Sequence, residues 1–158
     1  MPTAWRIVKS KYAAAAFEGE GARLYGGRWT SVGRATVYTA DSAALATLEI
    51  LVHLQSSATL AYYCFASVTF PDSQVADVSV SALPANWRTS PGPAELQRIG
   101  DEWWERREFA VLRVPSAVIP ISSNYLLNPA HPAFGTFSFG TPEPYAFDTR
   151  LNGAAVKH

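Results

Sequence analysis

Apolar and polar positions recur at helical spacing in two stretches of the chain, and both stretches predict helices. They are "DSAALATLEILVHL" (41–54) and "AELQRIGDEWWERRE" (94–108). In the second stretch, Leu96, Ile99 and Trp103 share one helical face and charged residues occupy the other. This pattern is typical of a helix that lies on the surface with its apolar stripe against the core.

The first helix is apolar on nearly every side and carries a lone glutamate. Leu45, Leu48 and Val52 recur at i, i+3 and i+7, and Glu49 falls within the same stripe. Such a helix is expected to be buried. Burying a carboxylate costs free energy unless the group is paired or hydrogen-bonded. Glu49 therefore needs either a structural partner or a chemical role.

Runs rich in β-branched and aromatic residues predict strands. These runs are AWRIV (4–8), ATVYTA (35–40), LAYYCFASVTF (60–70), QVADVSV (74–80) and two short runs in FAVLRVPSAVIPI (109–121). The segment 122–150 is dense in Pro, Gly and aromatic residues and is expected to be a long ordered loop with a terminal strand. The helices fall between strands and no linker divides the chain, so residues 1–158 are predicted to form a single α+β domain.

Composition narrows the class of protein. The chain has 158 residues, of which 48% are hydrophobic and only 16% charged, and 13 basic residues balance 13 acidic ones. A zero net charge argues against direct nucleic-acid binding, which needs a basic face. Few charges also favour low solubility, which a partner protein covering part of the surface would relieve.

The expected location is the cytoplasm. Cys64 is the single cysteine, so no intramolecular disulfide can form, which fits a reducing compartment. The N-terminus lacks a signal-peptide pattern. No apolar run approaches the roughly 20 residues needed to cross a bilayer, so no membrane association is expected.

Several common chemistries have no sequence support. There is no phosphate-binding P-loop, and "GEGARLYGG" lacks the strand and helix that flank a dinucleotide fingerprint. His53, His131 and His158 show no metal-ligand spacing, so no metal is expected. Cys64 lies in an alternating aromatic run typical of a core thiol, and no nucleophile-elbow motif is present.

Two interpretations of "GGRW" remain open from the residues alone. Glycines allow close approach of a ligand, and the fork of Arg28 suits a phosphate or carboxylate. Alternatively, Gly26 and Gly27 form a turn and Arg28 neutralises Glu49. Tyr38 on the next strand offers a ring and a hydroxyl, although such an aromatic is more often structural.

Polar residues elsewhere also have two interpretations. His53 lies one helical turn after Glu49 and either tunes that carboxylate or simply occupies the helix surface. Asn124 and Asn128 lie in "NYLLNPAHP". Asparagines in such segments usually cap turns, and less often they orient a ligand.

Taken together, the motifs "GGRW…G…VYTA.S.ALA.LE", "VPSAVIP…NYLLNPAHPAF" and "FDTR" resemble the RES domain family over about residues 5–150. These proteins are toxins of bacterial type II toxin–antitoxin pairs, named for an arginine, a glutamate and a serine. The resemblance places the arginine at Arg28, the glutamate at Glu49 and the serine at Ser116, with Ser122 and Ser123 as alternatives.

The resemblance also assigns the remaining candidate residues. Tyr38 joins Arg28 and Glu49 as catalytic. The expected substrate-binding residues are Arg6, Gly27, Trp29, Ser116, Asn124 and Asn128. One departure stands out, because Ser122 occupies a position where the family often has a glutamate. Any role of that glutamate is absent or reassigned here.

The family's properties imply the function. Its members resemble ADP-ribosyltransferases in fold, with central mixed β-sheets flanked by a few helices, and consume NAD+ as a substrate without a cofactor. The expected activity is cleavage of the nicotinamide–ribose bond with transfer of ADP-ribose to water or phosphate. The alternatives are mono-ADP-ribosylation of a cellular protein and a non-catalytic co-repressor module that binds an antitoxin. The expected partner is an Xre-like helix-turn-helix antitoxin.

Overall fold

A mixed β-sheet of eight strands forms the centre of the molecule. The computed structural model describes residues 1–53, 62–148 and 150–151. The strands are β1 (Thr3–Lys9), β2 (Val37–Ala40), β3 (Tyr63–Thr69), β4 (Val75–Asp77), β5 (Val111–Pro115), β6 (Ser123–Leu127), β7 (Ser138–Phe139) and β8 (Glu143–Tyr145). The α-helices of this part of the chain are α1 (Glu20–Tyr25), α2 (Ala43–Leu51) and α3 (Ala94–Arg106).

The strand order is β4-β5-β6-β2-β1-β3-β7, and β8 also pairs with β3. β4 runs parallel to β5, whereas the other pairs of the described sheet are antiparallel. β6 therefore lies between β5 and β2 and joins the two halves of the sheet. Short 3-10 turns at Ser10–Ala15, Asp72–Gln74, Val80–Ala82 and Phe134–Thr136 complete the connections.

Each face of the sheet carries its own apolar cluster. One face packs Val37, Val68, Val111 and Leu127 beneath the segment that contains Phe137. The other face forms what we call the tryptophan cluster, which contains Trp29, Trp87, Leu96, Trp103, Leu112, Val114 and Leu126. Both clusters use alternating positions of β5 and β6, as expected for strands buried on both sides.

Helix α2 lies against β1 and β2 with only part of its surface buried. Ser42 caps its N-terminus by accepting a hydrogen bond from the Leu45 backbone N–H at 3.0 Å. Leu45 is 3% exposed, whereas Leu48 is 43% and Val52 61% exposed. The expectation of a buried helix is therefore wrong for Leu48 and Val52. Glu49 lies between the two surfaces, at the boundary of the buried side.

Helix α3 confirms the predicted amphipathic pattern. Leu96 and Trp103 are buried in the tryptophan cluster. Gly100 is required on this face, because a Cβ there would lie 1.7 Å from the carbonyl oxygen of Trp29. The helix thus fixes the loop that contains the Gly-Gly-Arg-Trp motif.

Two sequence-based predictions are wrong in the C-terminal third of the chain. The segment 122–150 was expected to be mainly loop, yet it contributes the central strand β6. The second strand-like run of 109–121 is instead a turn, in which the Ser122 N–H donates to the Ile119 carbonyl. Pro115 and Pro120 flank this turn, and proline cannot donate a ladder hydrogen bond. Residue 54, the end of the predicted first helix, lies outside the described residues.

Candidate functional site

Glu49, Ser116 and Asn124 form the centre of the site. The Ser116 hydroxyl donates to Glu49 Oε2 at 2.9 Å, and Asn124 Nδ2 donates to Glu49 Oε1 at 2.7 Å. Each carboxylate oxygen therefore has one neutral donor. Hydrogen bonds to a charged acceptor are the stronger class, and two of them from different elements fix the orientation of the carboxylate.

Three elements of the fold bring these side chains together. Glu49 lies in the last turn of α2, Ser116 directly follows β5, and Asn124 lies in β6 opposite Ala40 of β2. Ser116 is fully buried. Its Oγ accepts hydrogen bonds from the backbone N–H groups of Val118 and Ile119, at 3.1 and 3.2 Å. Its hydrogen is thereby directed to Glu49.

Asn124 is held in the same way. Its Nδ2 also donates to the carbonyl of Thr39 at 3.1 Å, so both amide hydrogens have acceptors. The sequence predicts Asn124 as a substrate-binding residue, but it does not predict the hydrogen bond from Asn124 to the Thr39 carbonyl. The alternation of Val37–Ala40 between two faces gives no signal that one of its carbonyls points at a side chain of β6.

Burial raises the pKa of Glu49 above its ordinary value. The hydrogen bonds from Ser116 and Asn124 act in the opposite direction, as does the nearby His53, whereas the charge of Asp41 raises the pKa further. Desolvation is the largest of these effects because it disfavours the anion. The site thus holds a carboxylate that is more basic than an exposed one.

The structure contradicts the interpretation in which Arg28 neutralises Glu49. Within the described residues Glu49 forms no ion pair. Arg28 Nη1 donates instead to the carbonyls of Trp87 and Thr89, at 3.1 and 2.8 Å. Backbone carbonyls already satisfy this end of the guanidinium, so Glu49 is balanced by neutral donors.

Tyr38 connects the Gly-Gly-Arg-Trp loop to the sheet. Its hydroxyl oxygen accepts from the Trp29 backbone N–H at 3.1 Å and lies 2.8 Å from the Thr30 hydroxyl. Burial raises the pKa of this phenol. Tyr38 pairs with Leu126 of β6, so its side chain and that of Asn124 are diagonal neighbours on one face, roughly 7–8 Å apart.

Gly27 and Trp29 serve this packing. A Cβ at Gly27 would lie 2.5 Å from the Tyr38 hydroxyl, so only glycine lets the phenol lie against this turn. Trp29 is 2% exposed and belongs to the tryptophan cluster. The structure therefore places its indole in the core, and substrate binding by Trp29 stays a prediction.

Arg6 reaches from β1 to the neighbouring strand. Its Nη1 donates to the carbonyl of Tyr38 at 2.9 Å. Its Nε is buried and has no hydrogen-bond partner among the described residues. Burial lowers the pKa of this guanidinium below its usual value. A buried donor without a partner costs free energy, which makes Arg6 a candidate for binding an anion.

Asn128 lies away from Glu49, at the opposite end of β6 from Asn124. Four residue steps along the extended chain place the two asparagines about 13 Å apart. The Asn128 side chain accepts from the Ala130 N–H at 2.9 Å and caps the turn at Pro129. Asn128 is fully buried, and its binding of substrate stays a prediction.

Of the three candidate serines, Ser116 is the one whose hydroxyl contacts Glu49. Ser122 and Ser123 contribute backbone groups to neighbouring segments: the Ser122 carbonyl accepts from the Ser116 N–H, and the Ser123 N–H donates to Asp41.

The described residues contain no group of three or more His, Cys, Asp or Glu side chains that could hold a metal ion. No helix among these residues is long and apolar enough to span a bilayer.

The chain is similar to known proteins over nearly its whole length. The family model described as RES domain matches residues 3–148. A protein named Toxin Res from Yersinia enterocolitica serotype O:8 / biotype 1B is 43% identical over 148 residues, covering 93% of this chain and 97% of that protein. A protein of Sphingobium sp. (strain YBL2), named Prs ADP-ribosylating toxin, is 38% identical over 152 residues, covering 93% and 94%.

The fold is also shared with a solved structure. A chain in the crystal structure of the M. tuberculosis MbcT–MbcA toxin–antitoxin complex superposes with a TM-score of 0.78 at 20% identity, covering 96% of this chain and 89% of that one. This match confirms the expected α+β fold. The family match and the identities of the relatives agree with the motifs around Arg28, Glu49 and Ser116: the chain belongs to the RES domain family.

Proposed function

We propose that this chain is the toxin of a toxin–antitoxin pair and that it cleaves the nicotinamide–ribose bond of NAD+. The observation that carries the proposal is the Glu49 carboxylate, which Ser116 and Asn124 orient and which forms no ion pair among the described residues. An anion without an ion-pair partner is suited to a reaction that develops positive charge.

NAD+ cleavage develops such a charge. When the bond between the nicotinamide nitrogen and the ribose carbon breaks, its electron pair leaves with nicotinamide, which becomes neutral. The ribose carbon then carries oxocarbenium-like positive charge. In this proposal Glu49 lies beside that carbon and stabilises the charge. Its two hydrogen bonds prevent reorientation during the step, which is the advantage of a preorganised site.

The neighbouring residues supply binding. Arg28 and Arg6 offer guanidinium groups to the pyrophosphate, since a fork of N–H donors matches two phosphate oxygens. Tyr38 would pack its ring on nicotinamide or on the ribose. Ser116 and Asn124 then act mainly through Glu49, because the described hydrogen bonds already occupy their donors. NAD+ is consumed, so no resident cofactor is required.

Water or inorganic phosphate is the proposed acceptor of ADP-ribose. A second candidate is transfer to a protein, which is favoured by the 38% identity to a relative named Prs ADP-ribosylating toxin. Both reactions share the same bond cleavage at Glu49. They differ only in the nucleophile that attacks the ribose carbon and in the need for a protein docking surface.

An antitoxin is the proposed partner. The fold match lies in a toxin–antitoxin complex, and relatives of this chain are named toxins. We propose that the partner is an Xre-like helix-turn-helix protein and that the pair acts in the cytoplasm. Copurification of the two chains, followed by loss of NAD+ cleavage on adding the antitoxin, would support this assignment.

The test is incubation of purified protein with NAD+ in phosphate buffer and in phosphate-free buffer, with products identified by mass spectrometry. Wild type should release nicotinamide, and Glu49→Gln should not, although it folds. Free ADP-ribose would identify water as acceptor, and a phosphorylated ADP-ribose would identify phosphate. Ser122→Ala serves as the matched control, because its side chain does not contact Glu49.

Other outcomes discriminate between the candidates. Intact NAD+ with wild type would exclude NAD+ degradation. If a lysate protein then gains ADP-ribose from labelled NAD+, protein transfer is the activity. If neither occurs and Glu49→Gln remains as growth-inhibitory as wild type, the proposal of NAD+ chemistry is wrong, and the non-catalytic antitoxin-binding module is the better description.

A further inference from the structure

The loop that precedes α3 lies between two parts of the site. We call residues 86–92 the strap. Trp87 anchors the strap, since its ring is 6% exposed within the tryptophan cluster. On one side, the carbonyls of Trp87 and Thr89 accept hydrogen bonds from Arg28 Nη1, at 3.1 and 2.8 Å. The strap therefore fixes the position of this guanidinium.

The other side of the strap contacts the turn that follows β5. The exposed Arg88 donates from Nε to the Ala117 carbonyl at 2.9 Å and from Nη2 to the Val118 carbonyl at 3.4 Å. The Val118 N–H in turn donates to Ser116 Oγ, whose hydroxyl contacts Glu49. These hydrogen bonds, together with the covalent bonds of the residues between them, link Arg28 to Glu49 through the strap.

We infer that Arg88 is a positioning residue of the NAD+ site. It fixes the position of Arg28 relative to that of Glu49, because it holds the strap against the turn that follows β5, which we call the Ser116 turn. This inference rests on the proposed function. The two hydrogens of Arg28 Nη1 are matched by two carbonyls. The opposite edge, made by Nε and Nη2, has no hydrogen bond within the described residues and can grip a phosphate with two parallel donors.

Pinning one edge of a guanidinium lowers the entropy lost when the other edge binds. Arg88 does not supply the phosphate donors itself in this inference, because its Nε and Nη2 already bond the Ser116 turn. Removing Arg88 should therefore weaken pyrophosphate binding only through Arg28. The effect of one lost charged hydrogen bond of this kind is about tenfold in affinity.

Gly92 gives an independent way to disturb the same contact. A Cβ at this position would lie 2.8 Å from Arg28 Nη1 and 3.0 Å from Leu96 Cδ1. Gly92→Ala changes no charge and removes no donor. It should nevertheless push the Arg28 guanidinium away from the strap carbonyls and weaken phosphate binding in the same direction as loss of Arg88.

The experiment measures ADP binding by calorimetry, because ADP contains the pyrophosphate but has no scissile nicotinamide bond. The variants are Arg88→Met, Arg28→Met, the double variant and Gly92→Ala. Arg98→Met is the control, since Arg98 is an exposed arginine of α3 and the charge change is identical. Thermal melting of each variant identifies any loss of fold, and Gly92→Ala replaces Arg88→Met if the latter unfolds.

The expected result is ADP binding weakened about tenfold in Arg88→Met and unchanged in Arg98→Met. The double variant should bind no more weakly than Arg28→Met alone, since coupled residues are non-additive. Additive losses, or an unchanged affinity in both Arg88→Met and Gly92→Ala, would overturn the inference. Absence of ADP binding by wild type would overturn it too.

The measurements distinguish a failure of the strap inference from a failure of the proposed function. If wild type binds ADP and shows the non-additive cycle but leaves NAD+ intact, the strap inference stands and transfer of ADP-ribose to water or phosphate is wrong. If wild type cleaves NAD+ while Arg88→Met retains full ADP affinity and KM, the proposed function stands and the role of Arg88 is wrong. A change confined to melting temperature would likewise show that Arg88 is only structural.

Discussion

At the scale of single residues, Glu49 is the feature that most needs explanation. Its two oxygens are hydrogen-bonded by neutral donors, and no cation pairs with it in the described structure. Burial raises its pKa above the ordinary value of 4.5. Between these two pKa values the folded state binds more protons than the unfolded state, so its stability falls as pH rises.

Glu49→Gln should consequently be at least as stable as wild type at neutral pH. The sign follows from the raised pKa: ionised Glu49 disfavours folding above its folded pKa, and this penalty disappears as pH falls below 4.5. Urea unfolding at a series of pH values would measure the difference. A variant that is less stable than wild type at pH 7, with the difference disappearing only as pH falls, would show the opposite linkage.

The pH dependence of activity should follow the same group. The proposed NAD+ cleavage needs the anionic form of Glu49, so kcat/KM should fall as pH decreases through the raised pKa of this group. The midpoint should lie above that of an exposed glutamate. Initial rates from mildly acidic to neutral pH test this, with circular dichroism at each pH confirming the fold. A rate constant that does not change across this range would contradict the assignment.

Ser116→Ala should destabilise the protein and reduce cleavage. The substitution leaves the half-buried N–H groups of Val118 and Ile119 without their acceptor, at a cost of about 1–3 kcal/mol in unfolding free energy. Glu49 also loses one of its two donors. Denaturant melts and kcat would measure both effects. Ser122→Ala should match wild type, and equal effects of the two variants would contradict the choice of Ser116.

The sequence identifies these residues as candidates, but it does not show which residues they contact. The spacing within α2 marks Glu49 as an anomaly, but no pattern shows that Ser116 and Asn124 supply its donors. Arg28 was equally compatible with pairing to Glu49 or with binding a ligand. Its hydrogen bonds to Trp87 and Thr89 depend on a loop about 60 residues away, for which periodicity gives no register.

At the scale of elements, α3 holds the Gly-Gly-Arg-Trp loop by a series of polar contacts. Gln97 Nε2 donates to the Gly27 carbonyl at 2.9 Å, and Trp104 Nε1 donates to the Ala35 carbonyl at 2.8 Å. The Ser31 N–H and hydroxyl both donate to Asp101, at 2.8 and 2.6 Å. Hydrogen bonds at several positions therefore hold the loop that contains Arg28 against α3.

Gly100→Ala should test this packing. Its Cβ would overlap the Trp29 carbonyl, which is backbone and cannot rotate away. We expect a loss of about 3 kcal/mol or more in unfolding free energy, measured by urea denaturation. Gly21→Ala is the matched control within α1, where nothing lies within 4 Å, and it should stabilise by about 0.5–1 kcal/mol. Similar melts for the two variants would contradict the close approach.

Periodicity predicted α3 and the early strands because their patterns are long. β6 was missed because Ser123 and Asn124 are polar and the apolar run Tyr125–Leu127 is only three residues long. The partners of a central strand lie on both sides, so its burial comes from tertiary contacts that the local pattern does not contain. The polar side chain of Asn124 donates to Glu49, and the same polarity interrupts the apolar pattern that would have predicted β6.

At the scale of the whole molecule, charge balance should control solubility. Thirteen positive and thirteen negative side chains cancel, and the isoelectric point is about 6.8. Self-repulsion between molecules is then weakest near neutral pH. Precipitation by polyethylene glycol should show a solubility minimum near pH 6.8 and a rise on either side. A monotonic profile across this pH range would contradict control by net charge.

The central position of β6 has a consequence for the order of events during synthesis. Glu49 is separated by 67 residues from Ser116 and by 75 from Asn124, and β6 is the strand that closes the sheet between β5 and β2. A nascent chain that ends before residue 116 lacks both donors, and one that ends before residue 123 lacks the strand that joins the two halves of the sheet. Because the N-terminal part of a chain emerges from the ribosome first, the hydrogen-bonded arrangement around Glu49 can form only after most of the described residues have been synthesised.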